Sequence, residues 1–218
     1  MVAFRYLDEI NFSVMGFYSR YIFPRMMNWG MSVNAITPYR QEILFHARGK
    51  VLELGFGTGL NLPYYPAHIQ ELHAVEVNAG MNPLAHKNLA RSPIPVTFHL
   101  LNAEQLPFAD ESFDTVVSTW TLCSIPQVEK ALTQVYRVLK AKGQFLFVEH
   151  GLSDEPGVRK WQHWLTPVQK VIGGGCHLNR NMEALIGEAG FTFKQLRKEY
   201  APGSPKVAGY FYLGIASK

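Results

Sequence analysis

Cysteine is scarce in this sequence, in which Cys123 and Cys176 are the only two among 218 residues. Two cysteines exclude a disulfide framework and a four-cysteine zinc site. Cys176-His177 has no further Cys/His pair at a suitable spacing, so the sequence predicts no metal. No Lys/Arg-led leader with a cleavage site opens the chain, and no run approaches the ~18 apolar residues of a membrane span. We therefore expect a cytoplasmic protein.

Charge is also scarce, because charged residues make up 17% of the chain against roughly 25% in an average soluble domain. The net charge of +4 is mild, and no dense Lys/Arg block appears, so we expect no nucleic-acid partner. Hydrophobic residues reach 47% and aromatic residues 13%. This balance predicts an apolar cavity or surface in addition to a core, and favours a lipophilic or small neutral molecule as the substrate.

The first 30 residues are rich in aromatic side chains, with three arginines between them. Apolar residues from Val14 to Ile22 recur at helical spacing, and Pro24 predicts a break or a first turn. We predict an N-terminal helical cap over residues 1–34 and one domain over residues 35–218. The cap either packs on the domain as a lid or also presents its aromatic face to a lipid surface or a ligand.

Strand and helix patterns alternate through most of the domain. A helix is predicted over residues 35–47, with Thr37 as its N-cap, and another over residues 127–140, which Gly143 closes with a left-handed turn. Later residues predict a helix over 157–172, interrupted or restarted at Pro167, and a final antiparallel hairpin. The predicted strands cover residues 50–54, 71–77, 95–101, 113–123, 143–149, 191–200 and 210–216. Alternating strands and helices predict an α/β fold with a parallel sheet whose carboxyl ends line one crevice.

Three glycines on alternate positions, Gly55, Gly57 and Gly59, follow the first strand. Glycine allows backbone to approach a ligand closely. The sixth position of a dinucleotide fingerprint is Leu60, and the loop has no Lys for phosphate. Glu53 precedes the loop, and Glu76 ends the next strand, where a carboxylate can accept both hydroxyls of a ribose. The pattern therefore favours a nucleoside ligand with a cationic end, such as S-adenosylmethionine.

These segments resemble the class I S-adenosylmethionine-dependent methyltransferases. The resemblance rests on E-L-G-F-G-T-G at 53–59, V-E-V at 75–77, N-A-E-Q-L-P-F at 102–108, S-F-D-T-V-V at 112–117 and Y-R-V-L-K-A-K-G at 136–143. It implies a Rossmann-like seven-stranded sheet of order 3-2-1-4-5-7-6, with the last strand antiparallel and helices on both faces. It also implies S-adenosylmethionine as cofactor and S-adenosylhomocysteine as product.

The same resemblance implies which residues bind the cofactor. Glu53 and the three glycines would surround its methionine part, Asn61 would reach its carboxylate, and Thr119 would lie nearby. Ala103 and Glu104 would face the adenine, and Tyr18 would belong to a helix that covers the cofactor. The implied set is Glu53, Gly55, Gly57, Gly59, Asn61, Glu76, Val77, Asn102, Ala103, Glu104, Thr119 and Tyr18.

A narrower resemblance links the C-terminal half to the methyltransferase-like alkyl thiol S-methyltransferases and their bacterial relatives. It rests on T-L-C-S-I at 121–125, V-E-H at 148–150 and G-G-C-H-L-N-R at 174–180. The leading hypothesis is therefore methylation of a thiol. Residues 55–65 are also similar to phospholipid N-methyltransferases, and quinone C-methyltransferases share the general motifs. A cofactor-binding regulator at a membrane surface, with contact through residues 1–30, is the non-enzymatic alternative. The oligomeric state stays open.

Two histidines are the candidate catalysts. His150 ends the fifth strand, and His177 follows the glycine-rich loop. Because a thiol has a pKa of ~8.5, a base that works near neutral pH is sufficient to deprotonate it. Each histidine is a candidate general base or substrate contact, and the alternative for each is a structural histidine bonded to backbone.

Overall fold

Seven strands form one mixed sheet in the computed structural model, which describes residues 16–218. The first fifteen residues of the predicted cap lie outside the described range. The strands are β1 Lys50–Leu54, β2 Glu71–Glu76, β3 Val96–Leu100, β4 Phe113–Thr119, β5 Leu139–His150, β6 Thr192–Tyr200 and β7 Tyr210–Ser217. Their order is β3-β2-β1-β4-β5-β7-β6, and β7 pairs antiparallel with both neighbours. The predicted order is confirmed.

Six α-helices and three short helical turns connect the strands in the described range. The α-helices are α1 Phe23–Met31, α2 Thr37–Leu44, α3 Asn82–Leu89, α4 Val128–Val138, α5 Pro156–Ile172 and α6 Met182–Glu188. A π-helical turn, Tyr18–Ile22, leads directly into α1. Single 3₁₀ turns cover Leu62–Tyr64 and Ala79–Met81.

The central strands are apolar on both sides because helices cover both faces of the sheet. Along β5, Phe145 and Phe147 join the core that α4 completes, and Leu146 and Val148 join the core on the opposite face. Successive side chains of a strand point to opposite faces, so one short apolar run supplies two cores. The sheet is therefore packed on both faces, and the loops at its carboxyl edge begin from buried strands.

Three local predictions are wrong. Thr37 is the first residue of α2 rather than its N-cap, which is Ile36. Strand β4 ends at Thr119, because Trp120 takes a left-handed backbone conformation with φ of 50°. Gly143 lies inside β5, which begins at Leu139 directly after α4, so no left-handed glycine turn separates them.

Pro167 was predicted to interrupt or restart a helix, and this is also wrong. Helix α5 runs unbroken from Pro156 to Ile172 with Pro167 inside it. A proline inside a helix removes one backbone donor and crowds the carbonyl four residues earlier, but this helix continues on both sides of Pro167. Next to it, the hydroxyl of Thr166 donates to the carbonyl of Gln162 over 2.7 Å.

Candidate functional site

The loop after β1 is a left-handed glycine turn. Gly55 and Gly57 have φ values of 66° and 58°, a conformation that side-chain-bearing residues rarely adopt. A Cβ on Gly55 would overlap the side chain of Thr121, which packs against the turn. A Cβ on Gly57 would meet no atom closer than the Gly55 carbonyl oxygen, at 3.9 Å. The backbone at Gly57 therefore borders open space at the carboxyl edge of the sheet.

Glu76, at the end of β2, is bonded to this turn. Its Oε2 accepts the backbone N–H of Gly57 and its Oε1 that of Asn78, both over 2.8 Å. Burial raises the pKa of the Glu76 carboxyl, and the backbone donors partly oppose this. Each oxygen keeps a further lone pair for a ligand. Val77, the next residue, is 68% exposed and offers an apolar surface beside the carboxylate.

Glu53 lies at the centre of a buried polar network. Its two oxygens accept from the amide nitrogen of Asn61 at 2.7 Å and from the hydroxyl of Tyr65 at 2.9 Å. The same Asn61 nitrogen donates to Thr119 over 2.9 Å, and Asn61 Oδ1 accepts from Arg40 Nε over 3.0 Å. These bonds use both amide hydrogens of Asn61. Glu53 and Asn61 thus connect the end of β1 with the end of β4 and with α2.

The charges of this network are shifted by burial. Burial raises the pKa of Glu53 to about 7, although Tyr65, Asn61 and Arg40 favour its ionised form. Burial also lowers the pKa of Arg40 to about 10. The Arg40 guanidinium lies 4.8 Å from the ring centroid of Trp120, a cation–π contact. The Arg40 guanidinium thus links the Glu53 network to Trp120, in the loop that follows β4.

The segment Asn102–Glu104 forms a tight turn beyond β3. Asn102 Oδ1 accepts the backbone N–H of Glu104 over 2.9 Å. The Glu104 carboxylate accepts from the backbone and side-chain nitrogens of Gln127 over 3.0 and 3.1 Å. Both side chains therefore hold the turn, and the small, buried Ala103 lies between them.

Glu149 holds the loop that follows β4. Its Oε1 accepts from the hydroxyl of Ser118 and from the backbone N–H groups of Thr121 and Leu122, over 2.7 to 3.1 Å. Its Oε2 is buried without a hydrogen-bond partner among the described residues. Since Thr121 also packs on Gly55, Glu149 positions a loop that contacts the glycine turn.

On the other side of this loop, Cys123, His150 and Cys176 come together. Nε2 of His150 lies 2.9 Å from Sγ of Cys176, and one ligand atom from each residue lies within 4.8 Å of the others. Both cysteines are buried. Nδ1 of His150 is buried and has no hydrogen-bond partner in the range 16–218. We call these three residues the Cys–His–Cys cluster.

His177 lies beside the cluster but is bonded to backbone. The backbone N–H of His177 donates to the carbonyl of Cys123 over 2.8 Å. The ring Nδ1 of His177 lies 3.2 Å from the same oxygen. Nearby, Arg180 donates to the carbonyls of Leu122 and Pro126. The G-G-C-H-L-N-R segment therefore binds the loop after β4 along its length.

The described part of the cap crosses the same edge of the sheet. Tyr18 donates to the carbonyl of Ile172 over 2.6 Å, at the end of α5. Ser19 accepts from the side chain of Asn78 over 3.1 Å, beyond β2. The ring of Phe23 occupies the space where a Cβ of Gly174 would project. Residues 18–23 thus contact structures on both sides of the glycine turn.

The sequence located most of this arrangement but missed several partners. Arg40, Tyr65 and Thr121 were not recognised, although each contacts a predicted residue. A buried acid such as Glu53 signals that polar partners exist, but it does not reveal which distant residues supply them. The Cys–His–Cys cluster was missed for the same reason, since its members come from three separate segments.

Comparison with known proteins decides the family. A family model described as "Methyltransferase domain" matches residues 52–147. Thiol S-methyltransferase TMT1B of Rattus norvegicus is 35% identical over 175 residues, which cover 77% of this chain and 70% of that protein. The chain belongs to the class I S-adenosylmethionine-dependent methyltransferase family. Its cofactor is S-adenosylmethionine.

More distant relatives of this methyltransferase include an enzyme named for a different acceptor and a solved structure with the same fold. Phosphatidylethanolamine N-methyltransferase of Cereibacter sphaeroides is 28% identical over 127 residues, which cover 57% of this chain and 62% of that protein. A solved S-adenosylmethionine-dependent methyltransferase of Thermotoga maritima has the same fold, with a TM-score of 0.63 at 22% identity, covering 92% of this chain and 99% of that one.

The open space at Gly57 and the free lone pairs of Glu76 fit the cofactor of this methyltransferase, since they leave room for a ligand that presents hydroxyl groups. Between residues 16 and 218, no helix combines the length and apolar character that crossing a bilayer requires.

Proposed function

We propose that this methyltransferase transfers the methyl group of S-adenosylmethionine to the sulfur of a small lipophilic thiol. The relationship to thiol S-methyltransferase TMT1B, which extends over 77% of the chain, carries the proposal. The composition supports it, because a chain with 17% charged residues suits an apolar acceptor better than an anionic one.

The carboxyl edge of the sheet would hold the cofactor. Glu76 would accept the ribose hydroxyls, with its orientation fixed by Gly57 and Asn78. Charge-assisted hydrogen bonds of this kind contribute ~1.5–3 kcal/mol each. Val77 and Ala103 would contact the adenine as apolar neighbours, and Gly57 would let the backbone approach the methionine part. The predicted roles of Asn61, Asn102, Glu104 and Thr119 would then be largely to hold these loops.

The bound cofactor supplies a methyl group that its sulfonium has already activated, so the chain has to position the acceptor and exclude water. The Tyr18–Phe23 segment would exclude water, because it contacts both Asn78 and Ile172 at this edge of the sheet. We propose that the cap closes over the cofactor in this way. His150 and His177 contact Cys176 and the Cys123 carbonyl, respectively, and in this proposal the acceptor would bind on their side of the loop after β4.

A second candidate is N-methylation of a phospholipid headgroup. It is favoured by exposed aromatic side chains on the cap and on α5, two segments that the hydrogen bond from Tyr18 to the Ile172 carbonyl joins. Trp29 is 77% exposed and Trp164 is 70% exposed, and exposed aromatics of this kind suit the interface of a bilayer. This surface also supports peripheral membrane contact by the protein.

An acceptor screen tests the proposal. The purified chain is incubated with labelled S-adenosylmethionine and with alkyl thiols, phosphatidylethanolamine vesicles or quinone precursors in parallel. We expect methylated thiol from the wild-type protein. Methylation of the lipid or the quinone precursor without methylation of any thiol would contradict the proposal.

Strand β2 carries two glutamates, so a variant of Glu76 can be compared in the screen with a matched control variant of Glu71. Glu76→Ala should abolish turnover because it removes the ribose contact. Glu71→Ala, at the opposite end of the same strand, removes a carboxylate that pairs with Lys50 over 2.8 Å and should leave turnover close to wild type.

A further inference from the structure

The Cys–His–Cys cluster has the composition of a metal site. Two thiol sulfurs and one imidazole nitrogen lie within 4.8 Å of one another. Tetrahedral Zn²⁺ takes sulfur at about 2.3 Å and nitrogen at about 2.0–2.1 Å, which places its ligands roughly 3.5–3.8 Å apart. The ligand atoms therefore need shifts below about 1 Å to surround an ion. Magnesium and calcium prefer oxygen ligands, which this cluster does not offer.

Neighbouring backbone fixes the two cysteines relative to each other. A Cβ on Gly175 would lie 2.9 Å from the carbonyl oxygen of Ser124, so glycine allows the two loops to approach. The His177 N–H and the Cys123 carbonyl join the same loops over 2.8 Å. Cys123 and Cys176 are thus brought together by main-chain contacts that do not require a disulfide.

The surroundings of the ligand atoms suit coordination. Gln169 Nε2 donates to Cys176 Sγ over 3.6 Å, and hydrogen bonds of this kind from neighbouring residues orient metal ligands. Nε2 of His150 faces Cys176 over 2.9 Å, so Nε2 is the nitrogen that would bind the ion. In the neutral ring that places the proton on Nδ1, Nε2 has the lone pair that a metal needs.

We propose that Cys123, His150 and Cys176 bind Zn²⁺ and that the acceptor thiol takes the fourth position. This deepens the proposed thiol methylation and rests on it. Zinc sites with three protein ligands keep a position open for a substrate, whereas structural sites use four. No fourth His, Cys, Asp or Glu belongs to the cluster among the described residues.

The acceptor thiol and the cofactor are the only reactants that this methyl transfer needs. The S–H proton of the acceptor leaves to solvent as its sulfur takes the fourth position. The thiolate sulfur then forms the bond to the methyl carbon, the carbon–sulfonium bond breaks, and its electron pair stays on the cofactor's sulfur. In this proposal the ion would take the place of the general base or substrate contact that the sequence predicts at His150, and the site would differ from the prediction of no metal.

Metal analysis of the full chain tests the site without any turnover. Untagged protein, purified in a reducing, chelator-free buffer, should contain about one Zn²⁺ per chain. The Cys176→Ser and His150→Gln variants should contain roughly tenfold less. His163→Gln is the matched control, since His163 bonds Asn179 outside the cluster, and it should keep its zinc. Wild-type protein without stoichiometric zinc, or with a Cys123–Cys176 disulfide, would overturn the site.

Cobalt substitution tests the fourth position and does not depend on the variants folding. Co²⁺ in the wild-type protein should give the visible bands of a tetrahedral sulfur-ligated ion, and an alkyl thiol added without cofactor should shift them. An unchanged spectrum would overturn thiol coordination. Full thiol turnover by metal-free protein would overturn the inference and leave the proposed function standing. Zinc binding without turnover of any thiol would instead count against the proposed function.

Discussion

At the scale of single residues, Glu53 shows how burial determines the charge of this site. It accepts hydrogen bonds from Asn61 and Tyr65, but it lies in a core that penalises its ionised form. Its pKa rises from 4.5 to about 7. Between these two values the folded chain holds a proton that the unfolded chain has released.

This shift predicts a pH-dependent stability. The free energy of unfolding should fall as pH rises from about 4.5 to 7, by up to roughly 3 kcal/mol from Glu53 alone, because the folded state binds the extra proton. Glu53→Gln keeps the size of the side chain without the titration, so this part of the fall should disappear. Denaturant unfolding at pH 4.5, 6 and 8 measures it. Parallel curves for variant and wild type would contradict the predicted shift.

At the scale of elements, the glycine turn combines two different requirements. Gly55 is packed against Thr121, whereas Gly57 borders open space. Both have left-handed backbone, so any side chain costs about 1–2 kcal/mol at either position. We therefore expect Gly55 to be required mainly for packing and Gly57 mainly for ligand binding.

The two alanine variants should therefore behave differently. Gly57→Ala should lose about 1–2 kcal/mol of stability but more than roughly tenfold in cofactor affinity, since its methyl group enters the space left for the ligand. Gly55→Ala should lose more stability, roughly 2–4 kcal/mol, because it adds overlap with Thr121 to the backbone strain. Thermal unfolding and cofactor titration measure both. Equal stability losses, or wild-type affinity in Gly57→Ala, would disagree with the geometry.

The elements also show what the sequence could and could not predict. The bounds of β1 and the start of β4 were predicted correctly. Each strand is short and carries several large apolar residues, which is typical of a buried strand of a parallel sheet. The end of β4 was missed because the left-handed backbone of Trp120 has no signal in residue type. The start of β5 at Leu139 was missed because apolar residues there fit a helix and a strand equally well.

At the scale of the whole molecule, parallel strand ends bring together residues from distant parts of the chain. The glycine turn, Glu76 and the Asn102–Glu104 turn were predictable because each directly follows a recognisable strand. The Cys–His–Cys cluster was not, since Cys176 reaches Cys123 through a loop that follows α5, and only the folded chain defines that loop's path. The cap's role as a lid stays a prediction, supported by the contacts of Tyr18 and Ser19.

We propose that the edge of the sheet at Glu76 binds the cofactor, and calorimetric titration with S-adenosylmethionine measures this binding. Glu76→Gln removes the charge that ribose hydroxyls would bond to, whereas Glu71→Gln removes one at the opposite end of β2. We predict roughly 10- to 100-fold weaker binding for Glu76→Gln and wild-type binding for Glu71→Gln. Equal dissociation constants for Glu76→Gln and wild type would contradict a ribose contact by Glu76.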